Sequence, residues 1–251
     1  MANLEPLIQS IPVAPLKLAS LEGCRTLADQ VNNYLVSFRH ESPTNVGQAD
    51  SLQGYCADSY LLECECPRFG SGEGKGVLKE SVRGCDLFIM VDVTNYSLTY
   101  RVNGYENHMS PDNHYQDLKR IISAADGKAR RINVIMPFLY EGRQHKRSKR
   151  ESLDCALMLQ ELVDMGVSNI LTFDAHDPRV SNSIPLHGFD SFMPTYQFLK
   201  ALVNSVPDFV IDNDHLMIIS PDEGAMGRAV YFSNILGVDM GMFYKRRDYS
   251  T

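Results

Sequence analysis

Five short runs of apolar, β-forming residues recur along the chain, at 87–93, 132–138, 169–173, 216–219 and 238–244. Their apolarity is near-continuous rather than alternating. That is the pattern of strands covered on both faces, as in a parallel sheet. Helical segments lie between them. Cys155, Met158, Leu159, Leu162 and Val163 fall at i, i+3, i+4, i+7 and i+8 and form one apolar stripe. Gly166 follows where such a helix would stop. The spacing therefore predicts a βαβ unit from 132–138, 153–165 and 169–173. Further helices are predicted at 197–203, before Pro207, and at 225–236, before Gly237. The fold class is alternating α/β, a parallel sheet flanked by helices. The organisation divides into a stretch 1–68 with an extension and first elements, an α/β domain over 69–195, and a partial second α/β domain over 196–251.

The charge balance narrows the function. Acidic residues outnumber basic ones by 31 to 24, a net charge of −7 over 251 residues. Generic binding to nucleic acid or anionic membranes needs a basic surface, so neither partner is expected. No apolar run approaches the roughly 20 residues of a membrane-spanning helix. The N-terminal segment carries Glu5 and Glu22 and lacks a basic start followed by an apolar core, so no secretory leader is expected. The expected setting is the cytoplasm, with the six cysteines as free thiols. Cys56, Cys64 and Cys66 cluster, but Cys-x-Cys lacks the two-residue knuckle of zinc sites and no second pair follows.

The polar segments that could carry chemistry follow the strand-like runs. In open parallel sheets, ligands bind beyond the carboxyl ends of the strands. The basic segment 143–150, Asp174-Ala-His176, Ser220-Pro-Asp222-Glu-Gly and Lys245-Arg-Arg247 all occupy such positions, and they are expected to converge on one sheet edge. The segment 143–150 reads Arg-Gln-His-Lys-Arg-Ser-Lys-Arg. A cation cluster in an acidic protein suits a compact polyanion such as a nucleoside polyphosphate; a solvated loop or a nucleic-acid patch is the alternative. Asp174 and His176 could ligate a divalent metal, or the Asp could orient the His. Asp222 could be a helix N-cap, or a ligand for metal or a sugar hydroxyl. Lys245 and Arg247, two apart on an extended segment, would point the same way and could stabilise charge on transferring phosphoryl oxygens.

Two tempting motifs fail. The run 70–76, Gly-Ser-Gly-Glu-Gly-Lys-Gly, lacks the first glycine of a P-loop, because Phe69 stands there, and Gly76 replaces the Ser or Thr after the Lys. Glycine at every second position does not give G-x-G-x-x-G either. No G-x-S-x-G elbow occurs.

The constellation resembles the ribose-phosphate diphosphokinase (phosphoribosyl diphosphate synthetase) family over roughly 69–247. Phe69-x-x-x-Glu73 followed by Glu80-Ser-Val-Arg-Gly-Cys-Asp86 looks like its adenine-contacting segment. Pro137, Tyr140 and Arg143-Gln144 with the basic residues after them look like its flexible, ATP-binding catalytic loop. Asp174-Ala-His176, Ser220-Pro-Asp222 and Lys245-x-Arg247 look like its magnesium, Ser-Pro-Asp and catalytic Lys-x-Arg segments. The resemblance implies a type I phosphoribosyltransferase-like fold in two domains. It implies transfer of the β,γ-diphosphoryl group of Mg·ATP to the 1-hydroxyl of ribose 5-phosphate, giving phosphoribosyl diphosphate and AMP. By resemblance, Phe69, Glu73, Arg143 and Gln144 hold ATP, His176 and Asp222 serve Mg²⁺, and Lys245, Arg247, Lys146 and Arg147 are catalytic. It also implies a homo-oligomer.

Departures from the family pattern are visible. Ser71 stands where an acidic residue or Asn is usual, His145 where Asp is usual, and Asp177 where a small residue is usual; the end of the flexible loop, near Ser152-Leu-Asp154, is altered. The family's next strand and its acidic, Thr-rich ribose-phosphate loop do not follow Arg247, so a piece of a longer enzyme is expected. Two alternatives stand beside the enzyme: a non-catalytic, nucleotide-binding regulatory relative, and an unrelated metal-dependent hydrolase using Asp174, His176 and Asp222.

Overall fold

A computed structural model describes residues 12–41 and 54–244. The chain forms two compact units, through Phe192 and from Met193 onward. The first holds a six-stranded sheet. Its strands are β1 (Leu16–Ser20), β2 (Leu61–Leu62), β5 (Asp86–Met90), β8 (Arg131–Ile135), β9 (Val167–Phe173) and β10 (Gly188–Phe192), in the order β10-β9-β8-β5-β1-β2. Every pairing in it is parallel. Short antiparallel pairs sit outside it: β3 (Cys64–Glu65) with β4 (Val77–Leu78), and β6 (Thr99–Val102) with β7 (Tyr105–His108). The helices are α1 (Arg25–Glu41), α2 (Pro111–Ala124) and α3 (Asp154–Asp164).

Alternation along the central strands sorts the two faces. Leu87 and Ile89 of β5, with Ile132 and Val134 of β8, join the larger core, where Leu118, Ile121 and Ile122 of α2 and Leu159 and Leu162 of α3 pack on them. Phe88 and Met90 face the opposite way, into a smaller core with Leu18, Cys24, Ala28 and Val31. The apolar stripe of α3 is buried as its spacing predicts: Cys155 and Leu159 are fully buried, and Gly166 takes the positive φ of a helix stop. The predicted βαβ unit is β8–α3–β9, with its two strands paired directly.

A polar ladder crosses the second face. Asp86 accepts from Arg131 Nε at 2.8 Å and from Asn133 Nδ2 at 2.8 Å, and Asn133 Oδ1 accepts from Asn169 Nδ2 at 2.6 Å. The register shifts between Ile132 and Asn133, leaving Ser168 as the extra residue of a bulge. Asn169 fits because its neighbour across the pair is Gly188, where a Cβ would stand 2.0 Å from Asn169 Oδ1.

The second unit contains α4 (Thr195–Ser205), β11 (Ile218–Ser220), α5 (Met226–Leu236) and β12 (Met240–Met242), the two strands forming a parallel pair. Helices stand where 197–203 and 225–236 were expected, and Gly237 ends α5 at φ +67°. One expectation fails here. β11 and β12 make a sheet of their own, so Ser220 and Asp222 do not stand on the edge that carries 143–150 and Asp174-Ala-His176. The convergence inferred from four similar strand ends overlooked that strands in one chain can belong to separate sheets. Lys245 and Arg247 lie outside the described residues.

Ala229 and Val238 are the buried apolar residues among the described part of the second unit, while Tyr196, Phe198, Ile219, Ile235 and Phe243 are exposed. So small a core cannot offset roughly 1–2 kcal/mol of backbone entropy per residue. Residues 193–251 expressed alone are expected to give no cooperative thermal transition by circular dichroism. A sharp melt would show that this unit is self-sufficient.

Candidate nucleotide site

Two loops leave adjacent strands at their carboxyl ends. The loop after β8 turns at Leu139, whose carbonyl accepts from Gly142 N at 3.0 Å, and Tyr140 is pinned from beside it. The Tyr140 ring stacks on Tyr115 of α2 with centroids 4.6 Å apart, and its hydroxyl donates to Asp112 at 2.5 Å. The basic segment follows. Gln144 Nε2 donates to the Ser152 carbonyl at 2.8 Å, and Gln144 O accepts from Cys155 N at 3.4 Å. These bonds close the segment into a ring at its base. Arg143, Lys146, Arg147, Lys149 and Arg150 are exposed, and none makes an ion pair or side-chain hydrogen bond among the described residues. Gln144 is thus occupied in closing the ring, whereas Arg143 and the other cations project freely.

The loop after β9 is held by β10. Asp174, at φ +43°, donates its N–H to Phe192 O at 2.9 Å, and Ala175 N donates to Ser191 Oγ at 2.9 Å. Asp tolerates the left-handed conformation, which turns the chain sharply after the strand. His176 is thereby left exposed at the sheet edge. His145 of the basic loop meets it edge-on, ring centroids 5.1 Å apart. Asp177 comes next, its Oδ2 3.6 Å from His145 Nδ1. Asp177 also accepts from Arg179 N at 3.0 Å and from Arg179 Nε at 2.9 Å. The hydrogen bonds from Arg179 hold the Asp177 carboxyl well below its usual range, against some desolvation. Burial pulls His145 below the ordinary imidazole value, although Asp177 opposes this. His145 Nδ1 is buried and has no hydrogen-bond partner among the described residues, a condition that costs about 1–3 kcal/mol for a neutral group.

The structure brings Arg143, Gln144, Lys146, Arg147 and His176 to neighbouring strand ends of one sheet. Phe69 and Glu73 occupy a separate tight turn, with Phe69 N donating to Glu73 O at 2.7 Å and Phe69 exposed. This turn hangs from α2: Arg68 forms a fork with Asp117, at 2.6 and 2.8 Å, and Arg120 reaches the same carboxylate at 2.6 Å. No hydrogen bond or ion pair among the described residues links it to 143–150. The glycine run acts here as packing. A Cβ on Gly76 would lie 2.3 Å from the backbone oxygen of Arg120, so only glycine lets the returning strand approach α2. Asp222, in the second unit, accepts from Ala225 N at 3.1 Å as the cap of the turn into α5. Reading the sequence missed the anchoring role of α2 altogether. The signal available was Ser110-Pro-Asp-Asn113, a capping box with Pro at the first turn, present in the structure.

The topological switch point lies between β1 and β5, where the loops that follow the two strands meet. Asn95 Nδ2 donates to Gly23 O at 3.1 Å. Beside it is a cavity of about 520 Å³ lined by Leu21, Cys66, Arg68, Tyr100 and Asp117, which contains none of the residues proposed from sequence. Of its two thiols, Cys64 is buried, its Sγ donating to Ser20 O at 3.1 Å, and Cys66 is half-buried.

Among the described residues, no group of three or more His, Cys, Asp or Glu could hold a metal by protein ligands alone. The exposed imidazole of His176 does fit a metal that arrives already bound to phosphates. Mg²⁺ typically takes one or two protein ligands, with phosphate oxygens and water supplying the rest.

The architecture is a parallel-sheet α/β fold with a cationic loop at its carboxyl edge. The model for the N-terminal domain of ribose phosphate pyrophosphokinase matches residues 16–166. The chain belongs to the ribose-phosphate pyrophosphokinase family. The match begins at the first strand, well before the Phe69 motif at which the resemblance in sequence becomes readable. Ribose-phosphate pyrophosphokinase from Staphylococcus epidermidis is 28% identical over 191 residues, covering 74% of this chain and 53% of that protein. The one from Oceanobacillus iheyensis is 26% identical over 190 residues, with the same coverage of 74% and 53%. The chain thus spans about half the length of these curated relatives. A crystal structure of phosphoribosylpyrophosphate synthetase from Mycobacterium smegmatis shares the fold, with a TM-score of 0.71 at 22% identity, over 93% of this chain and 65% of that one. No helix among the described residues is long and apolar enough to cross a membrane.

Two outcomes test this geometry. Asp117→Ala would leave Arg68, with a side chain only 10% exposed, facing an empty site. Urea unfolding is expected to register a loss of about 3–5 kcal/mol; a loss below about 1 kcal/mol would mean the clamp is not formed. Burial pushes the Cys64 and Cys155 thiols up to about 11 and Cys66 to about 12. At pH 8 all three stay protonated and unreactive, since the thiolate is the nucleophile. Iodoacetamide labelling read by mass spectrometry is expected at these positions only after denaturation.

Proposed function

We propose that this chain binds a magnesium–nucleoside polyphosphate at the carboxyl ends of β8 and β9, and that it serves the ribose-phosphate diphosphokinase reaction. In that reaction the β,γ-diphosphoryl group of ATP passes to the 1-hydroxyl of ribose 5-phosphate, leaving AMP. The observation that carries the reading is the set of five cations at 143–150, unpaired among the described residues, ringed at the base and adjacent to His176, in a protein of net charge −7. Exposed, mutually repelling cations store unfavourable Coulomb energy that a compact polyanion relieves.

The chemistry asks little covalent help of the protein. Catalysis by phosphoryl-type transfer is positioning plus charge stabilisation. Lys146 and Arg147 would hold the terminal phosphates, and Arg143 the nucleotide nearer the strand. His176 would hold the metal, and bound Mg²⁺ would supply neutralisation of polyphosphate charge. Phe69 and Glu73 as adenine contacts, and Asp222, Lys245 and Arg247 as further site residues, enter through the resemblance alone.

Calorimetry with Mg·ATP, and separately with AMP, tests the reading. Lys146→Ala and Arg147→Ala are each expected to weaken Mg·ATP binding about tenfold, the loss of one charge-assisted contact. AMP, which lacks the polyphosphate, should change by less than about twofold. Release of AMP from ATP that depends on ribose 5-phosphate tests the reaction. Binding without such release would favour the non-catalytic, nucleotide-binding reading. Nucleic-acid affinity that falls in both variants while ATP binding stays intact would overturn the site.

A further inference from the structure

Between Arg143 and Arg150, His145 is the residue with a deeply buried side chain, only 10% exposed, while the cations on both sides of it are open to solvent. The basic loop therefore has two fastenings. One is the Gln144–Ser152 bond at its base. The other is the His145 ring, seated against His176 and 3.6 Å from Asp177. Asp177 is itself held from its own side. It accepts a backbone bond from Arg179 at 3.0 Å as it opens the short helical turn Pro178–Ser183, and its side chain is 14% exposed. Its ion-pair partner is different in kind: the Arg179 side chain is 80% exposed, the sort of pair that contributes little. The carboxylate is thus fixed in place by its cap, while the nitrogen that faces it from the basic loop has no hydrogen-bond partner among the described residues.

We propose that Asp177 is a positioning residue for the basic loop: through His145 it fastens the loop's first turn to the turn that carries His176. Polyphosphate and the metal travelling with it then meet cations and imidazole in one preformed arrangement. The Nδ1–H of a neutral His145 donates to Asp177 once the 3.6 Å gap closes to hydrogen-bond length. Without this fastening the loop has little burial to offset the entropy of ordering five like charges. The inference rests on the nucleotide reading for its ligand but not for its mechanical content, and the two can be tested apart.

The test is a double-mutant cycle on the whole chain with His145→Ala, Asp177→Ala and both together, and with Arg179→Ala as a control. Amide hydrogen exchange over 143–152 without nucleotide reads the fastening itself. Asp177→Ala and His145→Ala are each expected to raise exchange there about fivefold or more, Arg179→Ala less than twofold. Calorimetry reads the ligand. Each single variant should weaken Mg·ATP about fivefold, and the double variant no more than the worse single, because the two residues act as one unit. Additive losses, equal effects of Arg179→Ala and Asp177→Ala, or unchanged exchange would overturn the proposal. If Asp177→Ala lowers the melting temperature, His145→Ala, which leaves the cap intact, carries the test. If the unaltered protein does not bind Mg·ATP, the nucleotide reading fails, and the exchange arm alone decides the fastening.

Discussion

Asp86, Arg131, Asn133 and Asn169 lie across three adjacent strands, and their hydrogen bonds hold β5, β8 and β9 in a single register. Every loop at the carboxyl edge hangs from that register. In a strand with period two, a slip of one residue turns the core face outward and moves the following loop by one step. The bulge at Ser168 sits within this ladder, and the one-residue offset that it introduces persists through the Ile135–Leu171 pair. Buried polar groups of this kind are costly unless fully bonded. Here each is matched across a strand pair, which makes the wrong registers expensive as well as the right one tolerable.

The anionic character of the whole and the cationic character of one loop work together. A net charge of −7 repels generic polyanions such as nucleic acid at long range. A compact polyphosphate that reaches the sheet edge meets five cations within one closed segment. Under the proposed reading, this contrast favours small, highly charged ligands before any hydrogen-bond geometry is considered.

Much of the first unit is legible in the sequence because parallel strands buried on both faces leave continuous apolar runs, and α3 has its stripe at the expected spacing. The strands at 86–90, 131–135 and 167–173 could be read for that reason. The stretch before Phe69 could not. β2 and β3 have two residues each, too short for any periodicity to declare itself, and α1 buries Ala28 and Asn32 rather than a row of large apolar residues. The basic segment and His176 were visible as site residues because their chemistry is unusual for exposed loops. The partnership of His145 with Asp177 was not, since the residues are 32 positions apart and meet only because β8 and β9 are neighbours. The assignment of β11 and β12 to a separate sheet was equally hidden: an apolar run declares a strand, not the sheet that it joins.

The ring closed by Gln144 and Ser152 has a bearing on how such a protein can change over evolutionary time. Past His145, which is seated against His176, the segment runs as a loop back to the Gln144–Ser152 bond, so residues 146–151 are insulated from the sheet. Doubling the length of a flexible closed segment costs only about 0.6 kcal/mol. Residues 146–151 can therefore be inserted, deleted or recharged with little penalty to folding. Two relatives could keep one scaffold and diverge in what the loop grips, drifting in ligand preference while the strands beneath them stand still.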